Sequence, residues 1–231
     1  DIGKRGLLPV PIRYYSAHTG RWGGDDKINL QNLPSRGADG KKLKRSIIAP
    51  EGHMLIDADS SQIEARVLAW LAQQDDLTEA FRNGDDVYKK MASAIYNVKF
   101  ADITKDQRFV GKTTILGAGY GMGAVKFQNQ LKTFGFDMDI DEARRVIQIY
   151  RSTNWQINKL WRCAQHYLQN AVNKEDKPFG LHGVLKIENG RIKLPSGLYI
   201  AYDELTATQA DMRFEYSYRK CMPSDSTLHY W

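Results

Sequence analysis

The run HMLIDADSSQIEARVLAWLA, residues 53 to 72, changes its period halfway along, and that change restricts the fold more than any other feature of the chain. Met54, Leu55 and Ile56 form a short apolar run bounded by Gly52 and an Asp-Ser-Ser turn, which predicts a buried strand. Ile63, Val67, Trp70 and Leu71 then recur at i, i+4, i+7 and i+8, the stripe of a helix packed on one side, while Ser61 and Glu64 have the spacing of a capping box. A strand that runs directly into a helix demands a mixed fold. Asp57 and Asp59 sit at the join. Side chains alternate along a strand, so both carboxylates would share one face at its carboxyl end, where a hard cation such as magnesium can collect oxygen ligands. The same residues can also be read without a metal, with Asp59 in a turn or cap and Glu64 in the capping box.

On either side the signals separate by region. Residues 1 to 50 mix Gly, Pro and basic residues with little helical periodicity, so they predict ordered loops or short strands. The segment 76 to 99 predicts two helices parted at Asn83-Gly84, and 104 to 118 a further helix started by Thr104, with Asp106 in its first turn. Glycines 117, 119, 121 and 123 should loosen its far end. Residues 141 to 173 are amphipathic over their whole length, and Pro178 with Gly180 closes them. Beyond that point the sequence alternates and contains Asn189-Gly190, a hairpin signal. The fold class is α+β, with a long helical middle and a β-rich end from about 179 to 231.

Charge is uneven. Of the formal net charge of +6, residues 1 to 50 hold all of it, with ten Lys and Arg against four Asp. The bunched Lys41, Lys42, Lys44 and Arg45 suit a phosphate backbone, and equally a solvated loop. Cys163 and Cys221 form no C-x-x-C and the five histidines no zinc spacing, so both thiols read as reduced. No apolar run approaches the roughly 18 to 20 residues of a membrane span, and no signal peptide precedes the basic start, which predicts a cytoplasmic protein with no membrane partner. Opening on Asp1 and stopping at Trp231 without a cap signal, the chain reads as a piece of a longer frame.

Two phosphate-binding motifs are excluded. GKTT at 111 to 114 lacks the P-loop glycine, with Asp106 in its place, and GAGYGM at 117 to 122 has Met122 where the third glycine of a dinucleotide fingerprint belongs. A different pattern survives. Arg108, Lys112, Leu116 and Tyr120 are spaced four apart, and at about 100° per residue such positions form one strip down a helix. Two cations, an aliphatic residue and a ring in line can hold a triphosphate at one end and a base at the other, and glycines beside Tyr120 leave its face open to stacking. An ordinary solvated basic face has the same spacing.

Together HTGRWGG with NLQNLP (18 to 34), DADSSQIEAR (57 to 66) and RFVGKTTILGAGYGMG (108 to 123) resemble, in order, three blocks of the family A DNA polymerases, particularly phage-encoded members. The resemblance covers about half of the chain directly. It implies part of a polymerase palm, built of short antiparallel strands, in residues 1 to 74, and a predominantly helical fingers subdomain in 75 to 231. The implied activity is DNA-directed DNA synthesis, with a dNTP transferred to a primer 3′-hydroxyl by two-metal phosphoryl transfer. Primer-template DNA and dNTPs are the implied partners, together with processivity or replisome proteins, and a phage enzyme would work in the host cytoplasm.

Residue by residue, the resemblance makes Asp59 the ligand of two magnesium ions, with the Ser60 carbonyl as a further ligand at a position where the family often has tyrosine. It groups Gln62, Glu64, Arg108, Lys112, Leu116 and Tyr120 around the nucleotide. Glu64 resembles the steric gate against a ribose 2′-hydroxyl, Arg108 and Lys112 the pair that grips the triphosphate, and Tyr120 the ring beside the templating base. Arg21, Asn29, Gln31 and Asn32 resemble minor-groove readers, which use acceptors common to A·T and G·C pairs. Arg36 and the 41 to 45 cluster would contact backbone phosphate.

Some positions depart from the family pattern. Asp57 stands where the family usually has a small uncharged residue. Leu116 replaces a Phe or Tyr against the incoming sugar, which implies slower, more selective insertion. The second metal aspartate, in a His-Asp turn, does not occur before Trp231, since Asp225 and His229 are in the wrong order, so the isolated chain is expected to be inactive. A non-catalytic basic module that binds nucleic acid is the rival reading, although such a binder has no use for a sugar gate. A single-subunit RNA polymerase is disfavoured by Glu64, because its site must admit the 2′-hydroxyl.

Overall fold

The computed structural model describes residues 6–16, 20–27, 29–34, 37–210 and 213–219. Arg36, Cys221, Asp225 and His229 lie outside them. The chain forms two compact units: residues 1–59, 171–176 and 187–231 in the first, and 60–170 with 177–186 in the second.

The first unit opens with β1 (Ile12–Arg13) paired antiparallel to β2 (Gly23–Gly24), with Arg13 opposite Gly23. Arg13 also pairs with Asp25 at 2.7 Å, and Tyr14 meets Trp22 edge-on at 5.0 Å. A Cβ on Gly23 would lie 2.3 Å from Ser16 Oγ, so the turn needs glycine there. The expectation of loops and short strands misses one element: Lys41, Lys42, Lys44 and Arg45 lie on a helix, α1 (Gly37–Arg45). Its start carries Asp39 and its end three cations, the arrangement that complements a helix dipole.

Residues 53–59 form no strand. Met54, Leu55 and Ile56 are 83%, 61% and 82% exposed, because no described strand pairs with this segment and a lone extended chain cannot satisfy its backbone as a sheet does. The shared strand face expected for Asp57 and Asp59 therefore has no sheet to define it, and both residues are exposed.

In the second unit, α2 (Ile63–Ala72) begins without the expected capping box. Gln62, at the cap position, adopts φ 57° and no side chain caps the helix. The chain is tied instead by Arg66, whose Nε donates to Ser61 O and whose Nη1 donates to Phe81 O, with the guanidinium 4.8 Å from the Phe81 ring. The packed side is also not the predicted stripe. Ala65, Ala69 and Ala72 are buried, while Ile63, Val67 and Trp70 are exposed, since α2 packs through its small residues on α3 (Asp75–Arg82).

The helices α3 and α4 (Val87–Tyr96) part at Asn83-Gly84 as expected, with Gly84 at φ +73°. Thr104 caps α5 (Lys105–Ala118) in a complete capping box with Gln107. After α6 (Ala124–Thr133), the long amphipathic segment divides into α7 (Ile140–Thr153) and α8 (Trp155–Val172). The break is at buried Asn154, where ψ 53° takes the backbone out of the helical region and the side-chain amide donates to Tyr150 O. Phe127, Leu131, Ile95, Val87 and Val146 fill the core among α4, α5, α6 and α7, and Phe109 stacks on Phe136 at its edge.

The β-rich end comprises β3 (Lys177–Phe179), β4 (Leu185–Glu188), β5 (Arg191–Lys193) and β6 (Tyr199–Ile200). Asn189 and Gly190 have φ of 53° and 75°, the two positive values that a type I′ turn requires. In the first unit β5 pairs antiparallel with β6, and Tyr15 donates to Tyr199 O at 2.8 Å. The hairpin of β7 (Asp203–Ala210) and β8 (Arg213–Arg219) follows, irregular between Asp203 and Thr206 where Glu204 has φ 54°.

Candidate nucleotide and DNA site

Three members of the strip, Arg108, Lys112 and Leu116, lie on α5, and Tyr120 follows its end. Val110, Gly111, Thr113, Thr114, Ile115, Gly117 and Ala118 are buried, whereas Arg108, Lys112 and Leu116 are half-buried and Tyr120, just past the helix end, is 63% exposed. The glycine of GKTT has a packing role. A Cβ on Gly111 would stand 2.3 Å from Tyr88 O and 3.0 Å from Ala92 N, so α5 lies against the backbone of α4. Gly117 faces the Met122 side chain, and a Cβ on Gly119 would come within 2.7 Å of Ile115 O, 3.3 Å of Leu68 Cδ2 and 3.5 Å of the Tyr150 hydroxyl, whereas Gly121 and Gly123 face open space.

Arg108 is held by residues that the sequence did not single out. Its Nε donates to Asp86 Oδ2 at 2.7 Å and its guanidinium lies 5.3 Å from the Tyr88 ring, while its Nη amines donate to no described residue. Asp86 also caps α4, accepting from Lys89 N at 3.0 Å. Burial opposes ionisation of Asp86, but the hydrogen bonds from Arg108 and from backbone N–H groups outweigh it and hold the carboxyl below the usual carboxylate range. An Asp directly ahead of an apolar helix was a legible cap signal. Its pairing with an arginine 22 residues away was not. Asp86→Ala should cost about 0.5–2 kcal/mol of unfolding free energy through the lost cap. With a lowered folded pKa, the charge-dependent part of this stability is full above the unfolded value of about 3.9 and is lost as pH falls through the folded value. In urea melts against pH, the gap between wild type and Asp86→Asn should therefore narrow below about pH 4.

Lys112 makes no ion pair with any described residue, which leaves its ammonium available to an anion. Glu64 is exposed in the first turn of α2. It lies one turn before Leu68, on the same helix face, and Leu68 abuts the Tyr120 end of α5 at Gly119. Gln62 precedes Glu64 at the cap, and the Ser60 carbonyl accepts from Ile63 N at 3.3 Å.

In the first unit Arg21, Asn29, Gln31 and Asn32 are exposed. Asn29 Oδ1 accepts from Gln31 N at 3.1 Å at the start of a short 3-10 turn, which leaves its side-chain amide as a donor. Asp59 is exposed and pairs with no described cation. Among the described residues, no group of three or more His, Cys, Asp or Glu could hold a metal ion. Magnesium commonly keeps several waters and takes one or two carboxylates plus substrate phosphates, so one exposed carboxylate such as Asp59 suits an open, partial shell and not a closed protein cage. No helix among the described residues is long and apolar enough to cross a membrane.

Comparison with known proteins gives the family. The profile of DNA polymerase family A matches residues 11–178, and the chain belongs to this family. It is 39% identical over 147 residues to DNA polymerase I of Pseudomonas aeruginosa, covering 64% of this chain and 15% of that protein. It is 36% identical over 171 residues to DNA polymerase I of Deinococcus radiodurans, covering 74% and 16%. Among solved structures, the POL domain of Pol1 from M. smegmatis in complex with DNA primer-template and dNTP is similar with a TM-score of 0.57 and 27% identity, over 74% of this chain and 28% of that one. The chain thus spans about 15% of the length of the curated relatives described here.

Proposed function

We propose that these residues supply the nucleotide-delivering helix and part of the metal-binding palm of a template-directed DNA polymerase. The observation that carries this reading is the half-buried row Arg108, Lys112 and Leu116 on α5, followed by exposed Tyr120 past its end, while the opposite face of the helix is fixed in the core. Arg108 and Lys112 grip the triphosphate of the incoming dNTP. Asp86 takes one N–H of the Arg108 guanidinium and so orients the remaining four toward phosphate oxygen. Fixed positive charge at that point favours the charge that builds on the departing pyrophosphate. Tyr120 packs by the templating base, and Glu64 occupies the space of a 2′-hydroxyl. Arg21, Asn29, Gln31 and Asn32 read the minor groove of the primer-template duplex, and Arg36 with the α1 cations meets its backbone.

Magnesium held by Asp59 and the Ser60 carbonyl would polarise phosphoryl oxygen and acidify the primer hydroxyl. With Asp59 as the one carboxylate this reading assigns to the metals, the 231 residues alone are expected not to extend a primer. The narrower reading of a phage replicative enzyme rests on the three sequence blocks. The test uses the complete reading frame that contains these residues: Glu64→Ala should raise ribonucleotide incorporation relative to deoxynucleotide by tenfold or more, on the order of 1.4 kcal/mol of lost discrimination. An unchanged dNTP-to-rNTP ratio would remove Glu64 from the site.

A further inference from the structure

In the first unit β6 pairs with β5 on one side and with no described strand on the other, and it lies beyond residues 11–178, which the family profile matches. Its open edge is nevertheless occupied. Leu194 N donates to Leu198 O at 2.8 Å, and Lys193 faces Tyr199 one step further along the same ladder. Facing residues of an antiparallel ladder alternate between bonded and non-bonded pairs, so at Tyr199 the backbone carbonyl turns away from β5. Tyr15 takes it there: its hydroxyl donates to Tyr199 O at 2.8 Å, although the two residues are 184 positions apart in the chain. Tyr199 is itself held, since its hydroxyl donates to Glu188 and Lys193 pairs with the same carboxylate oxygen at 3.1 Å.

At its other end Tyr15 meets the segment that presents Arg21. Ser16 N donates to Arg21 O at 2.9 Å, which brings the two ends of that segment together, and a Cβ on Gly20, at φ +80°, would lie 3.1 Å from the Tyr15 ring. The ring thus lies against the residue before Arg21 while the hydroxyl is fixed on β6. Burial, and after it the neighbouring Tyr14, push the Tyr15 phenol above its usual range, so it keeps its proton and remains a donor. We infer that Tyr15 is a positioning residue for Arg21, with its bond to Tyr199 setting where the backbone offers the exposed guanidinium to the minor groove of the primer-template duplex. A long side chain recognises a groove only if the backbone that carries it is held, because otherwise the ordering cost falls on the binding step. The inference rests on Arg21 being a minor-groove reader. It adds that an element outside the family match braces that reader.

The test is a double-mutant cycle on the complete reading frame, with primer-template affinity read by fluorescence anisotropy of a labelled duplex with a single-strand overhang. Tyr15→Phe keeps the ring against Gly20 and removes only the donor, so it should weaken binding about fivefold, the factor for one lost hydrogen bond. In an Arg21→Ala background the same change should weaken binding by less than about twofold, because the residue it positions is gone. Hydrogen exchange gives a readout without DNA: amides of residues 14–16 and 20–24 should exchange faster in Tyr15→Phe, with those of α4, α5 and α7 unchanged. Wild-type affinity for Tyr15→Phe, unchanged exchange in residues 14–24, or an equal loss of affinity with and without Arg21 would each overturn the assignment. Faster exchange throughout α4, α5 and α7 as well, with an early melt by circular dichroism, would show a purely structural role and overturn it too. Failure of the underlying reading has its own sign, since Arg21→Ala alone would then bind primer-template as wild type and remove Arg21 from the DNA site, and the inference with it.

Discussion

Gly111→Ala should destabilise the second unit by about 1–3 kcal/mol, although the same change at an open helical position is normally favourable. Alanine is the better helix former by roughly 0.5–1 kcal/mol, so propensity alone predicts a gain. Packing reverses the sign. The new methyl would stand 2.3 Å from the carbonyl oxygen of Tyr88 and 3.0 Å from the amide of Ala92, and both are backbone atoms that cannot rotate aside. Relief requires α5 to move off α4, which also separates Arg108 from Asp86. Urea denaturation followed by circular dichroism should show the midpoint falling. A midpoint equal to or above wild type would mean that the two helices are not in contact along this line.

Lys112→Ala should lower the kcat/KM of nucleotide incorporation by about 10²–10³ in the complete reading frame, the loss expected when one fixed donor is removed from developing charge. Lys112 gives a cleaner measurement than Arg108. Removing Arg108 also strips Asp86 of its partner and leaves that carboxylate part-buried, so activity and stability would fall together. Lys112 has no such partner, and its variant should melt with wild type. A loss confined to KM would indicate uniform binding of the triphosphate, whereas a loss in kcat would indicate a contact that strengthens in the transition state. Wild-type kinetics would place the triphosphate elsewhere.

The helical middle was legible because its signals are local. Thr104, Asn83-Gly84 and Asn189-Gly190 each act within a few residues, through a cap or a pair of positive φ angles, and each lies where the sequence placed it. The α5 strip was legible for the same reason, since a four-residue period needs no partner. What misled were features whose sense depends on a neighbour. Met54, Leu55 and Ile56 read as a buried strand because apolar runs usually find a sheet, yet no described strand pairs with them. On α2 the large residues dominated the pattern while the alanines do the packing. Hidden altogether were the contacts of Asp86 and Tyr88 with Arg108, made from α4 to α5, and the break at Asn154, where the backbone leaves the helical region.

The central claim is that the Arg108 to Tyr120 face of α5 carries the incoming nucleotide. Photolabelling the complete reading frame with an azido derivative of dATP, followed by peptide mapping, tests it most directly. The predicted result is an adduct within residues 105–120 that excess dNTP suppresses and Lys112→Ala reduces. Saturable labelling confined to any other segment would contradict it.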